Sequence, residues 1–167
     1  MSVSRRSVLL FTLLVAACAG PRTQLKVDQV TSRDAPAAAV AVSAFRKAHG
    51  LGAVTVDQRF NEAAQRQAEA MAASATLSHT IDGDFSSRMK AMGFNWGYSA
   101  ENLGMGHADL AGAMRSWEAS PGHRQNLLMP QVTRIGFAMA QAGGRKYWAL
   151  ILASPDMTPK SRSLAFW

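Results

Sequence analysis

His123 lies in the run Trp117-Glu118-Ala119-Ser120-Pro121-Gly122-His123-Arg124-Gln125-Asn126-Leu127-Leu128, directly after an amphipathic stretch. Pro121 disfavours helical geometry at Ser120, and Gly122 tolerates positive φ. A forced bend is therefore expected here, and a histidine on a bend can be aimed at a cleft. Imidazole is the side chain most often used as a metal ligand or proton carrier near neutral pH. His79, in Leu77-Ser78-His79-Thr80, also falls just beyond a helical pattern. Glu101 sits in Tyr98-Ser99-Ala100-Glu101-Asn102-Leu103-Gly104, an apolar, glycine-rich segment of a kind that disfavours carboxylates. A carboxylate held there needs a cation or several hydrogen bonds. Two imidazoles could supply the cation. Two imidazoles and a carboxylate could equally hold a divalent metal, zinc suiting imidazole best. The intervals 79–101 and 101–123 are 22 residues each, which is no local ligand motif, so spacing leaves both readings open.

The other two histidines read as structural. His49 falls in a last helical turn before Gly50, where an imidazolium favours the helix dipole, and His107 follows Gly104-Met105-Gly106 as a loop residue. No helix carries two histidines four apart with a glutamate between them, the zinc-protease signature. Ser120 lies in no nucleophile elbow.

The elements that must position these residues follow from periodicity. Asp34 offers an N-cap to an alanine-rich helix over 35–48, with Val42, Phe45 and His49 on one face. A short extended piece over 53–56 leads to Asp57, a second N-cap. In the helix over 58–74, Phe60, Ala64, Ala68, Met71 and Ala75 form one stripe of mostly small residues, suited to close approach to a sheet or another helix. Asp84 caps a short helix over 85–92, closed by Gly93. Residues 96–105, beginning at Trp96, read as a short strand or loop, and a helix over 108–119 buries Leu110, Met114 and Trp117. Ile135, Phe137 and Met139 alternate along a strand, Gly143-Gly144 is a hairpin turn, and 146–153 is a second apolar strand. Helices early and a hairpin late argue for an α+β layered fold and against a doubly wound parallel sheet.

The ends carry address information. Arg5 and Arg6 precede the apolar run Val8 to Ala17, far short of the ~20 residues needed to cross a bilayer, so residues 1–17 read as a secretory signal. Leu14-Val15-Ala16-Ala17-Cys18 places small residues before the single cysteine and resembles the lipobox of bacterial lipoproteins, in which that cysteine is lipidated. Ordinary cleavage near Ala17 or Ala19 is the alternative. Ser4-Arg5-Arg6-Ser7 also resembles a weak twin-arginine export signal. Ala19 after the cysteine implies, by the same likeness, outer-membrane sorting, so an exported protein anchored on the periplasmic face of the outer membrane or the cell surface is expected. Residues 18–34 read as the lipidated N-terminus and a polar tether, 35–155 as the domain, and 156–167 as a C-terminal tail. Without Arg5 and Arg6 the basic residues fall from 18 to 16 against 11 acidic ones, leaving about +5. That surplus is dispersed, with no run beyond the pairs Arg46-Lys47 and Arg145-Lys146. It suits a protein lying near anionic lipid and makes no nucleic-acid patch. One cysteine allows no disulfide within the chain.

Several segments in order resemble the superfamily of cysteine-rich secretory proteins, antigen 5 and plant pathogenesis-related proteins (the CAP superfamily) in its short bacterial form. They are Ala44-Phe45-Arg46 with His49-Gly50-Leu51, then Leu77-Ser78-His79, Ala100-Glu101-Asn102-Leu103, Trp117 with Ser120 to Leu128, Thr133-Arg134-Ile135-Gly136, and Tyr147-Trp148. The resemblance implies a three-layer α-β-α sandwich with a small antiparallel sheet and a surface cleft lined by two histidines and up to two glutamates. The matching motifs place the histidines at His79 and His123 and one glutamate at Glu101. At the second glutamate's position stands Ser120, while Glu118 follows Trp117 by one residue as a substitute or as a solvated helix residue. A cleft short of one carboxylate would hold a divalent ion more weakly. Three functions remain: an anchored module binding a lipid-like or cell-envelope ligand in the cleft or a neighbouring apolar groove, a divalent-metal hydrolase using His79, Glu101 and His123, and a structural or interaction role in which the cleft is a stabilising polar network. The binding module is the favoured expectation.

Overall fold

The computed structural model describes residues 24–94 and 97–154. The signal-type run 1–17, Cys18, the first part of the tether, Trp96 and the tail 156–167 lie outside the described residues.

The elements run β1 (Val27–Thr31), α1 (Ala35–Lys47), β2 (Thr55–Val56), α2 (Gln58–Ala73), α3 (Phe85–Ala91), β3 (Ser99–Met105), α4 (Leu110–Ala119), α5 (Pro121–Leu127), β4 (Arg134–Ala142) and β5 (Arg145–Ala153). The strands form one sheet in the order β1-β4-β5-β3, antiparallel throughout, with β2 added parallel to the start of β4. Gly143 and Gly144, at φ of 54° and 74°, make the two-residue turn between β4 and β5, a turn that needs positive φ at both centres.

Alternation along β4 and β5 splits the interior into two cores. Ile135, Phe137, Met139, Trp148, Leu150 and Leu152 face α1, α4 and α5. Ala138, Ala140, Ala142, Ala149, Ile151 and Ala153 face α2 and α3. The second face is built largely of alanine, and α2 meets it with Ala63, Ala64, Ala68 and Ala72. Small residues on both surfaces let α2 lie close, as its stripe predicts. The closest approach is at Gly136, where an added Cβ would strike the Phe60 backbone carbonyl. Asn61, buried in α2, spans the same contact by accepting the Phe137 backbone N–H at 2.9 Å. The result is the expected three-layer α-β-α sandwich.

Two local expectations are corrected. Residues 27–31, read as tether, are an edge strand: β1 pairs with residues 139–142 of β4, and only Val27 and Val30 pack inward. One short strand with a single buried face leaves little pattern in the sequence. The Ser-Pro-Gly segment breaks the helical run at Ser120, as expected, but a second helix and not a loop follows the break. Pro121 is the first residue of α5, with Ser120 extended at φ −84°, ψ 122°. Proline fits that position because its missing N–H has no helical partner there and its φ is already helical. His123 therefore projects from the first turn of a helix.

Arg46 ties these layers together. It is 1% exposed and faces no carboxylate among the described residues; its guanidinium donates to the carbonyls of Gly52 (2.8 Å), Leu127 (2.8 Å), Met129 (2.9 Å) and Val132 (2.8 Å). Burial pushes its pKa down, and the four carbonyls compensate the lost hydration. The C-terminal end of α1 is thereby fixed to the segment linking α5 to β4.

Candidate functional site

β3 is the outer strand on its side of the sheet, and its consecutive side chains point to opposite faces. Glu101 pairs with Ile151 and Asn102 with Leu150, so Glu101 looks toward α2 and α3 while Asn102 looks toward α4 and α5. The site is assembled around that edge, with one half on each face.

On the Glu101 side, the carboxylate accepts from His79 Nδ1 at 2.8 Å and from Arg88 Nη2 at 2.9 Å and 3.1 Å through its two oxygens. The Glu101 side chain is 1% exposed, that of Arg88 9% and that of His79 54%. Arg88 stands on α3, whose N-cap Asp84 accepts the Ser87 N–H at 2.9 Å; the Ser87 side chain, then this backbone bond and the Ser86 side chain, lower the Asp84 pKa to about 2. The guanidinium also donates to the carbonyls of His79 (3.1 Å) and Gly83 (3.3 Å), which closes the 79–83 loop over Glu101. The carboxylate accepts from Nδ1, so Nδ1 carries a proton on a ring whose side chain is half exposed.

On the other side, Asn102 is fully buried. Its Nδ2 donates to the His123 carbonyl at 3.1 Å, and its Oδ1 accepts from Asn126 Nδ2 at 2.9 Å. This pair fixes the first turn of α5 to β3. Trp117 Nε1 donates to the Leu103 carbonyl at 2.9 Å and pins α4 beside it. His123 Nδ1 is buried with no hydrogen-bond partner among the described residues. Burial, and secondarily the nearby His79, pushes the His123 pKa down, so the neutral ring is favoured.

The sequence-predicted residues thus meet in part. His79 and Glu101 are hydrogen-bonded, and His123 comes close enough for its charge to be opposed by His79. Glu118 points elsewhere, lining a cavity with Ala41, Leu110 and Met114 between α1 and α4. Cys18 lies outside the described residues. Arg88 is the residue that sequence reasoning missed. The requirement for a cation beside Glu101 was legible, but two imidazoles were named for it; the basic residue on the short helix capped by Asp84 was the overlooked signal. His49 is structural, as expected: its Nδ1 meets the Phe45 carbonyl and its Nε2 meets Arg124 Nη2, each at 2.8 Å, so the ring links the end of α1 to α5. Arg124 stacks over Phe45 at 5.1 Å.

Arranged in this way, the donor set does not fit a metal ion. Both Glu101 oxygens are occupied, a fixed guanidinium supplies the positive charge, and no group of three His, Cys, Asp or Glu among the described residues is placed to hold one. Beside the α5 half lies an open, largely apolar groove of about 500 Å³, lined by Pro121, Arg124, Gln125, Leu128, Met129 and Pro130. Its one charged group is Arg124.

A family model described as the cysteine-rich secretory protein family matches residues 40–152. The uncharacterized protein YkwD of Bacillus subtilis is 26% identical over 136 residues, covering 76% of this chain and 52% of that protein. The chain therefore spans about half the length of that curated relative. Among solved structures, an outer surface protein from Borrelia burgdorferi matches with a TM-score of 0.67 at 19% identity, covering 78% of this chain and 98% of that one. An extracellular protein containing an SCP domain from Bacillus anthracis matches with a TM-score of 0.64 at 23% identity, covering 71% and 39%. These two share the fold.

Proposed function

The chain belongs to the cysteine-rich secretory protein family, and from that premise we propose that it is an exported binding module, anchored through Cys18, that holds a lipid-like or other amphiphilic envelope component. The observation that carries this reading is the commitment of Glu101 to Arg88 and His79. A carboxylate neutralised by a buried guanidinium is a poor general base, because the pair must break before the carboxylate can take a proton. What remains available is recognition: the exposed ring of His79, the apolar groove along α5, and Arg124 at its rim for an anionic group. An apolar wall with a few placed polar groups is the usual composition of a small-molecule site. The extracellular and outer-surface descriptions of the two structural relatives are consistent with an exported location for this chain.

The test is native mass spectrometry of the protein purified from envelope fractions. An amphiphile is expected to copurify with the native chain, and its occupancy should drop sharply in Met129→Asp, which puts a charge in the groove without touching the Glu101 cluster. Protein that is repeatedly empty, or occupancy indifferent to Met129→Asp, would remove the groove from the function.

A further inference from the structure

The sheet has two chemically distinct ends. Glu101, opposite Ile151, marks one end, and the β4–β5 turn marks the other. From Arg145 to Ile151 along β5 is six residues, or about 20 Å. The described chain begins at the turn end. Val27 pairs with Ala142, the Leu25 backbone N–H bonds the Ala73 carbonyl at 2.7 Å, and Gly143 lies against the Leu25 side chain. Leu25, Lys26 and Arg145 are exposed.

A cavity of about 600 Å³ at this end is lined by Gly106, His107, Ala108, Gly143, Gly144, Arg145 and Lys146, with no acidic residue among them. Lys146 is fixed over it, Nζ donating to the Ala108 carbonyl at 2.6 Å while the ammonium lies 5.9 Å from the Trp148 ring. One of its three donors is used and two remain. The nearest acid in the following helix cap, Asp109, is engaged with the Gly112 N–H at 2.7 Å. Asp28 lies on β1, and Glu69 and Asp82 lie with Arg66 beside Ala73 on the α2 side of this end. Of the two basic pairs beyond Arg5-Arg6, Arg46-Lys47 is half buried with Arg46, so Arg145-Lys146 is the pair that reaches the surface.

We propose that the β4–β5 turn, with Lys26, Leu25 and His107 beside it, is a membrane-facing surface that binds the anionic headgroups of the bilayer. The orientation rests on the proposed anchoring at Cys18. Five residues, and so six residue-to-residue steps, separate Cys18 from Gln24, which cannot span more than roughly 20 Å even fully extended. An anchor at Cys18 therefore keeps the turn end within reach of the headgroups. Lys26, Arg145 and Lys146 meet their negative charge, and Leu25 offers an apolar side chain to the interface. Each such cation near an anionic surface strengthens binding about fivefold. The Glu101 cluster then faces away from the supporting membrane.

The experiment is amide hydrogen exchange on the protein purified from cells and added to vesicles of phosphatidylcholine alone or mixed with phosphatidylglycerol. Protection at 104–108 and 143–146 is expected to rise roughly fivefold or more in the anionic vesicles and to fall back in Arg145→Gln/Lys146→Gln. Lys90→Glu, a charge change near the opposite end, should leave it intact. Equal protection in both vesicles, or protection appearing at 79–88 and 121–128 in place of the turn, overturns the proposal. Intact mass of the purified protein separately reads lipid attachment. An unmodified Cys18 refutes the anchor, while turn protection in anionic vesicles would still support the headgroup surface.

Discussion

Removing the Arg88 guanidinium is the most direct challenge to the ion pair at the centre of the site. Arg88→Met keeps most of the side chain's volume but leaves the Glu101 carboxylate, 1% exposed, without the cation that bonds both its oxygens. Breaking a buried pair by deleting one partner costs about 3–5 kcal/mol. His79 retains its 2.8 Å bond to Glu101 and can partly compensate, which puts the expected loss near the low end, about 3 kcal/mol, or roughly 10 °C in Tm for a domain of this size. The loss arises from an uncompensated charge, so Glu101→Gln in the same chain should recover most of it. The double variant is expected within about 1 kcal/mol of the native protein, about 2 kcal/mol more stable than Arg88→Met alone. Urea unfolding followed by circular dichroism measures all four corners of the cycle. If Arg88→Met costs less than about 1 kcal/mol, or if Glu101→Gln adds to the loss, the guanidinium is not what holds the carboxylate. The same samples test the metal reading. Zinc should leave the native Tm unchanged, because the carboxylate is already committed; a rise by linkage that disappears in His79→Ala and His123→Ala would place an ion at this site and refute the assignment to Arg88.

Two further outcomes are expected. The His123 pKa is pushed down from 6.5, chiefly by burial, so below pH 6.5 the unfolded chain binds a proton that the folded chain resists. Stability from this group is full above pH 6.5 and is lost as pH falls toward the folded pKa, and His123→Gln should flatten that part of the stability–pH curve. If the curve is unchanged, another group sets it. Gly136→Ala should cost more than about 3 kcal/mol, above the usual overpacking range, because the added methyl meets backbone of α2 and not a side chain that could rotate away. Near-native urea stability would mean that α2 is not seated this closely on β4.

The sequence made some parts of this architecture plain and hid others, for physical reasons. The stripe Phe60-Ala64-Ala68-Met71 belongs to a helix long enough to repeat its pattern four times, and its small residues foretold the alanine face it packs on. The Gly143-Gly144 turn was equally clear, since few other residues accept that backbone. β1 was obscure because an edge strand buries only alternate residues over a short length. Pro121 made the break at Ser120 legible but hid the helix beyond it, because one residue type serves both as a helix breaker and as a first helical residue. His79 and Glu101 were found, since a carboxylate in a strand demands explanation. Arg88 was not, because a counter-ion is selected by three-dimensional proximity, and its own helix shows it as one more basic residue near a C-terminal end.

The four carbonyls gripped by Arg46 bear on how this protein could diversify. Leu127, Met129 and Val132 are held through their main chain, from the core side, while the side chains of Leu128, Met129 and Pro130 line the groove on the outer side. The path of that segment is thus dictated by an arginine elsewhere in the chain and not by the residues it displays. Its side chains can be exchanged without redrawing the backbone beneath them. A lineage of such proteins can therefore retune what the groove accepts by substitutions at 128 and 130, while Met129, which also packs on the core, and Arg46 support the segment on which that variation depends.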